Sequence, residues 1–184
     1  MGNFYSNVTV RGPRHEDVVA AVQALSYQAF VTDTLAGLTV ICEQQSDTQD
    51  QAIWHNVAQQ LSQQLNCPSL AVMNHDDDIL MYALYAGGRL LDDYNSCPDY
   101  WEEEDTPAPP SKSDAHALCE SFGMPGNHLE VERILRADDE QQFVFAYERH
   151  AALVKALDWP AIPFQKGFDY LIQDGPPAGW RAVS

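Results

Sequence analysis

The first 95 residues alternate between strand patterns and helix patterns in an order that few folds accommodate. Strand patterns occupy 3–11, 29–32, 38–43, 70–74, 79–86 and 89–95, and helix patterns follow Pro13 and Ser46. The first six segments run β-α-β-β-α-β, the split β-α-β order of ferredoxin-like folds. The last two strands add a meander. We therefore predict an α/β protein of the α+β type, with an antiparallel sheet and two helices on one of its faces.

Local patterns support each of these segments. In the first strand Val8 and Val10 alternate with polar residues, which is typical of a half-buried strand. Ser46 and Gln49 resemble a capping box for the second helix, and Gly87-Gly88 is typical of a two-residue hairpin of the primed type. The residues predicted to be mostly buried are Val8, Val22, Val57, Leu61, Val72 and Leu84.

The character of the chain changes after residue 98. Residues 99–113 form an acidic, proline-rich stretch with the pattern of an exposed loop, and residues 114–184 are predicted to be a mostly helical elaboration. Asp114 is a predicted N-cap of the first of three helices, and Asn127 of the second. The aromatic tail predicts a last strand before Gly175-Pro176-Pro177. We expect the regions 1–98, 99–113 and 114–184 to form one compact domain.

Composition excludes several classes of protein. An apolar fraction of 45% excludes general disorder, and no run approaches the roughly 18 apolar residues of a membrane span. The N-terminal residues lack the pattern of a secretory signal, so we expect a cytoplasmic protein. The four cysteines form no CxxC motif, and this favours reduced thiols over disulfides or a zinc site.

The net charge of −17 is distributed unevenly. Such acidity argues against nucleic-acid binding, because phosphate contacts need clustered Lys and Arg. Between residues 76 and 105 lie ten carboxylates and a single opposing cation, Arg89, so this segment carries −9. Two interpretations remain open for it: a solvated acidic face, or a surface that meets a basic partner.

Aromatic residues interleaved with these acids favour a binding surface, because large aromatics beside charges are common at interface hot spots. We expect the partner to be a basic protein, and neither nucleic acid nor a membrane. The predicted partner-binding residues are Asp76, Asp77, Asp78, Asp92, Asp93, Tyr94, Asp99, Tyr100, Trp101, Glu102, Glu103 and Glu104.

A metal site is the main alternative for the acidic turn. His75 with Asp76, Asp77 and Asp78, joined across the meander by Asp92 or Asp93, would offer an imidazole and hard oxygen ligands. The chain nevertheless lacks an EF-hand loop and an HExxH motif, and a run of Asp is common in tight turns. We predict no metal and no cofactor.

No motif of nucleophilic or nucleotide chemistry occurs in the sequence: GxSxG, the Walker loop and GxGxxG are all absent. His150 falls on the apolar stripe of the third C-terminal helix, where we expect a satisfied, partly buried histidine. We predict no catalytic residue.

Two blocks of sequence resemble a known family. The opening MGNFYSNVTVRGP and the block from His75 to Tyr100, with HDDDIL and DDYNSCPDY, are similar to a family of small acidic bacterial proteins of unestablished function. In size, acidity and lack of catalytic motifs the chain is also similar in character to immunity proteins, which neutralise secreted bacterial toxins in the cytoplasm. The resemblance implies a protein partner and assigns no catalytic residues.

Two hypotheses follow. In the first, the chain is an immunity protein that covers the active site of a basic toxin domain with its acidic segment. In the second, it is a small metal-assisted hydrolase or transferase that uses His75 and Asp76–Asp78. The second requires carboxylates that converge in a concave pocket, whereas the first requires them on a flat or convex surface.

Overall fold

The computed structural model describes residues 2–102, 108–137 and 142–184. The strands in these ranges are β1 (Tyr5–Arg11), β2 (Ala29–Thr32), β3 (Leu38–Glu43), β4 (Pro68–His75), β5 (Ile79–Ala86), β6 (Arg89–Asn95) and β7 (Trp180–Val183). The α-helices with described bounds are α1 (His15–Ala24), α2 (Gln51–Leu65), α3 (Ala115–Ser121), α4 (His128–Leu135), α5 (Ala146–Ala156) and α6 (Phe168–Asp174). Short 3₁₀ turns cover Gln45–Thr48 and Pro125–Asn127.

The strands form one antiparallel sheet in the order β6-β5-β4-β1-β3-β2-β7. Its central part, β4-β1-β3-β2, has the strand order that a β-α-β-β-α-β chain takes in ferredoxin-like folds. β5 and β6 extend the sheet beyond β4 as the predicted meander, and β7 adds to β2. The predicted mixed fold with an antiparallel sheet is confirmed.

Helices α1 and α2 pack on one face of the sheet. Val22, Val57 and Leu61 from these helices meet Val8 and other strand residues in one hydrophobic cluster. The apolar stripes of the two helices are buried because they lie against the β-branched face of the sheet. All six residues predicted to be buried are at most 3% exposed.

The second face of the sheet is covered as well, by the C-terminal helices. Val72 and Leu84 of the strands share a cluster with Leu118 of α3, Leu153 of α5 and Leu171 of α6. The expectation that β1 is half-buried was therefore wrong, because both of its faces are covered. The amide of Asn7 is accommodated there by donating to the carbonyl oxygens of Phe164 (2.6 Å) and Lys166 (3.1 Å).

The C-terminal tail differs from its prediction. Phe168–Asp174, expected as a strand, is helix α6, because Phe168 and Leu171 are three residues apart and face the core together. The strand of this region, β7, comes after Gly175-Pro176-Pro177 rather than before it. It pairs with β2, with Ala29 opposite Val183.

Of the three predicted helix caps, the one at Ser46 was wrong, and the one at Asn127 has the predicted position without a side-chain cap bond. Ser46 donates to the buried carboxylate of Glu43, and α2 begins later, where the Asp50 side chain accepts from the Ala52 N–H. Asn127 is the N-cap residue of α4, but its side chain makes no cap bond and donates to the carbonyl of Ala156 instead. The cap by Asp114 is confirmed, since its carboxylate accepts from the Ala117 N–H at 3.0 Å.

Candidate functional site

The Asp run forms the tight turn between β4 and β5. Asp76 and Asp77 are both left-handed, with φ of 52° and 64°, and the Asp78 N–H donates to the His75 carbonyl at 2.9 Å. Two central residues with positive φ define the primed hairpin turn that suits the twist of antiparallel strands. Asp tolerates this conformation better than most residues because its short side chain bonds locally.

Asp77 points inward and is 8% exposed. Its Oδ2 accepts from the backbone N–H of Asn3 at 2.9 Å, and its Oδ1 accepts from the Asn74 amide at 2.9 Å. The carboxylate therefore ties the segment before β1 to the end of β4. Asp77 belongs to the folded framework, and the structure does not place it on the predicted binding surface.

Asp76 and Asp78 have a different arrangement. Asp76 is partly buried and accepts from the Gly2 N–H through Oδ1 at 2.8 Å, whereas exposed Asp78 accepts from the Tyr100 hydroxyl through Oδ2 at 2.9 Å. Each carboxylate is thus oriented by one hydrogen bond. The second oxygen of each has no hydrogen-bond partner among the described residues.

Four aromatic rings, those of Phe4, His75, Tyr100 and Trp101, form a cluster beside this turn, called here the aromatic cluster. The His75 centroid lies 5.0 Å from Phe4, 5.8 Å from Tyr100 and 5.7 Å from Trp101, each edge to face. Such geometries are favourable for aromatic pairs. Phe4 is 41% exposed and Trp101 60% exposed, so the cluster reaches the surface.

Strand pairing brings the four rings together. Tyr5 of β1 lies opposite Asn74 of β4, which places the preceding Phe4 beside His75. After β6 the chain returns to the start of β5, where the Ser96 N–H donates to the Leu80 carbonyl. Sequence reasoning missed Phe4 and gave His75 a metal-binding alternative instead. Knowledge of the register between β1 and β4 would have predicted the contact between Phe4 and His75.

His75 is held by Gln49, which lies between the 3₁₀ turn and α2. The His75 Nδ1 is 2.5 Å from the Gln49 Oε1. An amide oxygen can only accept, so Nδ1 carries the proton in this contact. The Gln49 amide in turn donates to the Asn74 carbonyl at 2.8 Å. This chain of bonds fixes the ring on which the other three aromatics pack.

Tyr94 lies in the core, away from the turn. It is 2% exposed, its ring stacks on Tyr82, and its hydroxyl donates to the Leu135 carbonyl at 2.9 Å and accepts from Arg149 at 3.0 Å. Asp92, two residues earlier on the same face of β6, accepts from the Tyr82 hydroxyl at 2.7 Å, and burial raises its pKa. Both residues support the C-terminal helices.

The remaining predicted residues are dispersed. Exposed Asp93 alternates with Asp92 and Tyr94 along β6, so it points to the other face of the sheet. Asp93 pairs with Ala83 of β5. Ala83 is four residues, or about 13 Å along the strand, from Ile79, which is the residue of β5 next to the turn. Asp99 accepts from the Ala108 N–H at 2.7 Å. Glu102 is exposed. Glu103 and Glu104 lie outside the described residues.

The acids of the turn are electrostatically uncompensated within the described ranges. The ion pairs found there join Arg14–Asp17, Arg133–Glu130, Arg136–Glu132 and Lys166–Asp174. Neither Asp76 nor Asp78 takes part in one. The hydrogen bond to Asp78 is the main cause that raises the pKa of Tyr100.

The same geometry bears on the metal alternative. Asp77 points inward, and Asp76 and Asp78 are oriented by different partners. No group of three or more His, Cys, Asp or Glu side chains among the described residues is arranged to hold a metal ion. All four cysteines are free, and burial raises the pKa of Cys42, Cys67 and Cys119.

A metal-assisted enzyme would need carboxylates that converge in a cleft, and two clefts of the described ranges bear on this requirement. The larger, about 400 Å³, is lined by Asn3, Tyr5, Tyr147, Pro163, Phe164, Gln165 and Lys166, none of them acidic. Behind Tyr5 lies His150, which is 2% exposed and hydrogen-bonded to the Tyr5 hydroxyl at 2.8 Å, as expected of a satisfied histidine. Burial lowers the pKa of His150 to about 3.

The smaller cleft, about 210 Å³, contains Asp47 and Asp169. Both oxygens of Asp47 accept backbone N–H groups, from Ser6 at 3.2 Å and from Asp169 at 2.7 Å. Burial raises the pKa of Asp47 to about 6, against the lowering effect of these bonds. Because both oxygens are occupied, the carboxylate holds α6 against β1. Sequence reasoning did not single it out.

The turn between β4 and β5, with its two oriented carboxylates and the exposed aromatic cluster, is the candidate site. No helix within the described ranges is long and apolar enough to cross a membrane. Comparisons with protein-family models, with curated proteins and with solved structures found no match. The resemblance of the two sequence blocks to small acidic bacterial proteins therefore stays a prediction.

Proposed function

We propose that this chain is an acidic binding protein that neutralises a basic protein partner, as a cytoplasmic immunity protein blocks a bacterial toxin. The observation that supports the proposal most is the aromatic cluster, whose exposed rings lie beside the carboxylates of Asp76 and Asp78. Exposed aromatic rings are unfavourable in water unless a partner covers them. Such rings are enriched at protein–protein interfaces.

The proposed interface is smaller than the acidic segment. It comprises the aromatic cluster with Asp76 and Asp78, called here the turn surface. The side chains of Asp77, Asp92 and Tyr94 form hydrogen bonds within the protein, so we do not include them in the proposed interface. Exposed Asp93 and Glu102 contribute to the field around it, which speeds association with a cationic partner by about 10- to 1000-fold at low salt.

The chemistry of a toxin active site is compatible with this surface. Toxins that act on nucleic acids or nucleotides bind phosphates in cationic clefts, and a carboxylate can occupy a position that a phosphate oxygen would. The two oriented carboxylates have free oxygens for this purpose, and the adjacent rings would exclude water from the contact.

Capture of the partner tests the proposal. Immobilised wild-type protein and the variant Asp76→Asn/Asp78→Asn are incubated with an extract of the native host, and the retained proteins are identified by mass spectrometry. Asn keeps an acceptor for the Gly2 N–H and for the Tyr100 hydroxyl, so the turn stays intact. The control is Glu16→Gln/Asp17→Asn, which removes two charges from α1.

We expect a basic protein to be retained by the wild type and the control, and association to slow at least about tenfold in the turn variant at low salt. Trp101→Ala should instead accelerate dissociation, at a cost of about 1–3 kcal/mol. Equal loss in the control and the turn variant would mean that general acidity alone is responsible. Retention of the same basic protein by every variant, with unchanged rates of association and dissociation, would remove the turn surface from the interface.

A further inference from the structure

The turn surface offers two hydrogen-bond acceptors whose positions are set before any partner arrives. Asp76 is held through Oδ1 by the Gly2 N–H, and Asp78 is held through Oδ2 by the Tyr100 hydroxyl. The Asp76 Oδ2 and the Asp78 Oδ1 have no partner among the described residues. Asp78 is bonded to Tyr100, and Asp76 lies two residues away in the same turn, so both carboxylates are at the same end of the hairpin.

The same surface offers an exposed aromatic ring. Trp101 is 60% exposed and meets His75 at an interplanar angle of 66° and Tyr100 at 85°. Neither contact is a parallel stack, so no aromatic ring among the described residues sandwiches the indole. Trp is the aromatic side chain with the strongest attraction for a cation placed over its face.

From this combination we infer that the turn surface recognises an arginine side chain of the basic partner, in preference to lysine. This inference rests on the proposed function and specifies its partner chemistry. A guanidinium is planar, so it can stack on the Trp101 indole while its N–H groups donate in the same plane to carboxylate oxygens. The ammonium of lysine is a compact, strongly hydrated charge that gains less from an aromatic face.

Other occupants fit the surface less well. An anion would be repelled by Asp76 and Asp78, and a second copy of this chain would bring its own net charge of −17. A quaternary ammonium could lie over the indole, but it has no N–H to donate to the two free carboxylate oxygens. A guanidinium combines a planar face for the ring with several N–H donors for the carboxylate oxygens.

The inference is tested with two short peptides that are identical except that every cationic residue is arginine in one and lysine in the other. Calorimetric titration gives the affinity of each peptide for wild-type protein, Trp101→Ala and Asp76→Asn/Asp78→Asn. The matched control is Leu129→Ala, which truncates a 69% exposed apolar side chain on α4. Far-UV circular dichroism and urea midpoints verify that each variant is folded.

We expect the arginine peptide to bind wild-type protein and the control about five- to tenfold more tightly than the lysine peptide. Trp101→Ala should abolish this preference, and Asp76→Asn/Asp78→Asn should weaken both peptides. Equal binding of the two peptides, weakened by the Asn variant, would overturn the arginine inference and leave the proposed function standing. Binding of neither peptide would also overturn it, while capture from the host extract tests the proposed function independently.

Discussion

Three consecutive aspartates have three different environments at the tip of one hairpin. Asp77 is buried and bonded to Asn3 and Asn74, whereas Asp76 and Asp78 each have one oxygen held and one free. The left-handed turn directs neighbouring side chains to different sides of the strand pair. Charge counted along the sequence therefore overestimates the charge that a partner would meet.

Asp47 predicts a specific pH dependence of stability. Its pKa rises from an ordinary value of 3.8 to about 6 because the carboxylate is buried. Between these values the folded state holds a proton that the unfolded state has lost, so its contribution to stability falls as pH rises. Relative to Asp47→Asn, the wild-type free energy of unfolding should drop by about 2–3 kcal/mol between pH 4 and pH 6.5.

Urea unfolding of both proteins at several pH values in this range measures the difference directly. Subtracting the variant removes the contributions of the other carboxylates, which the two proteins share. Glu16→Gln, at an exposed position of α1, is the matched control. The difference in free energy of unfolding between wild type and Asp47→Asn should fall as pH rises. A difference that stays constant or increases with pH would contradict the proposed environment of Asp47.

At the level of elements, sequence patterns predicted β1 to β6, α1 and α2 because each has its own local signal: alternation, helical spacing or a turn. The Gly87-Gly88 turn, with φ of 56° and 79°, is of the expected primed type. Sequence patterns did not predict the environment of a side chain where contacts with distant parts of the chain determine it. Asn7 is one of the polar residues that alternate with Val8 and Val10 in a strand expected to be half-buried, but its side-chain NH2 group donates to two carbonyls more than 150 positions away.

The candidate site was predictable only in part for the same reason. Tyr100 and Trp101 were singled out because they are neighbours of acids in the sequence. Phe4 joins them only through the pairing of β1 with β4. Tyr94 was included on the same criterion of proximity, yet β-strand alternation turns it into the core. Strand pairing and strand direction therefore decide which aromatic side chains join the site, and proximity to acids in the sequence does not give this information.

The hairpin turn between β4 and β5 provides a test at this scale. Asp77→Ala places an alanine at φ near 64° and removes the carboxylate that accepts from the side-chain amides of Asn3 and Asn74. We expect a loss of about 2–4 kcal/mol in the free energy of unfolding. The neighbouring Asp78→Ala, at an exposed position, should cost less than about 1 kcal/mol. Comparable losses in both variants would mean that Asp77 has no special role in the turn.

For the molecule as a whole, a net charge of −17 implies substantial self-repulsion in the folded state. Raising NaCl from about 0.01 M to 1 M shortens the Debye length from about 30 Å to 3 Å. The free energy of unfolding should therefore increase with salt. The increase should be smaller in a variant that combines Asp76→Asn, Asp78→Asn, Glu16→Gln and Asp17→Asn. Urea titrations at each salt concentration measure both slopes, and equal slopes would contradict this electrostatic account.

The pairing of β2 with β7 has a consequence for biosynthesis. Ribosomes release the chain from its N-terminus, so β2 emerges long before Trp180 and the rest of its partner strand. At about 5–20 residues per second, the outer edge of β2 waits for about 7 to 30 seconds until β7 is made. An unpaired strand edge is a template for other chains. Slower translation therefore lengthens the interval in which nascent copies on one polysome can mispair, and the arrival of β7 ends this interval.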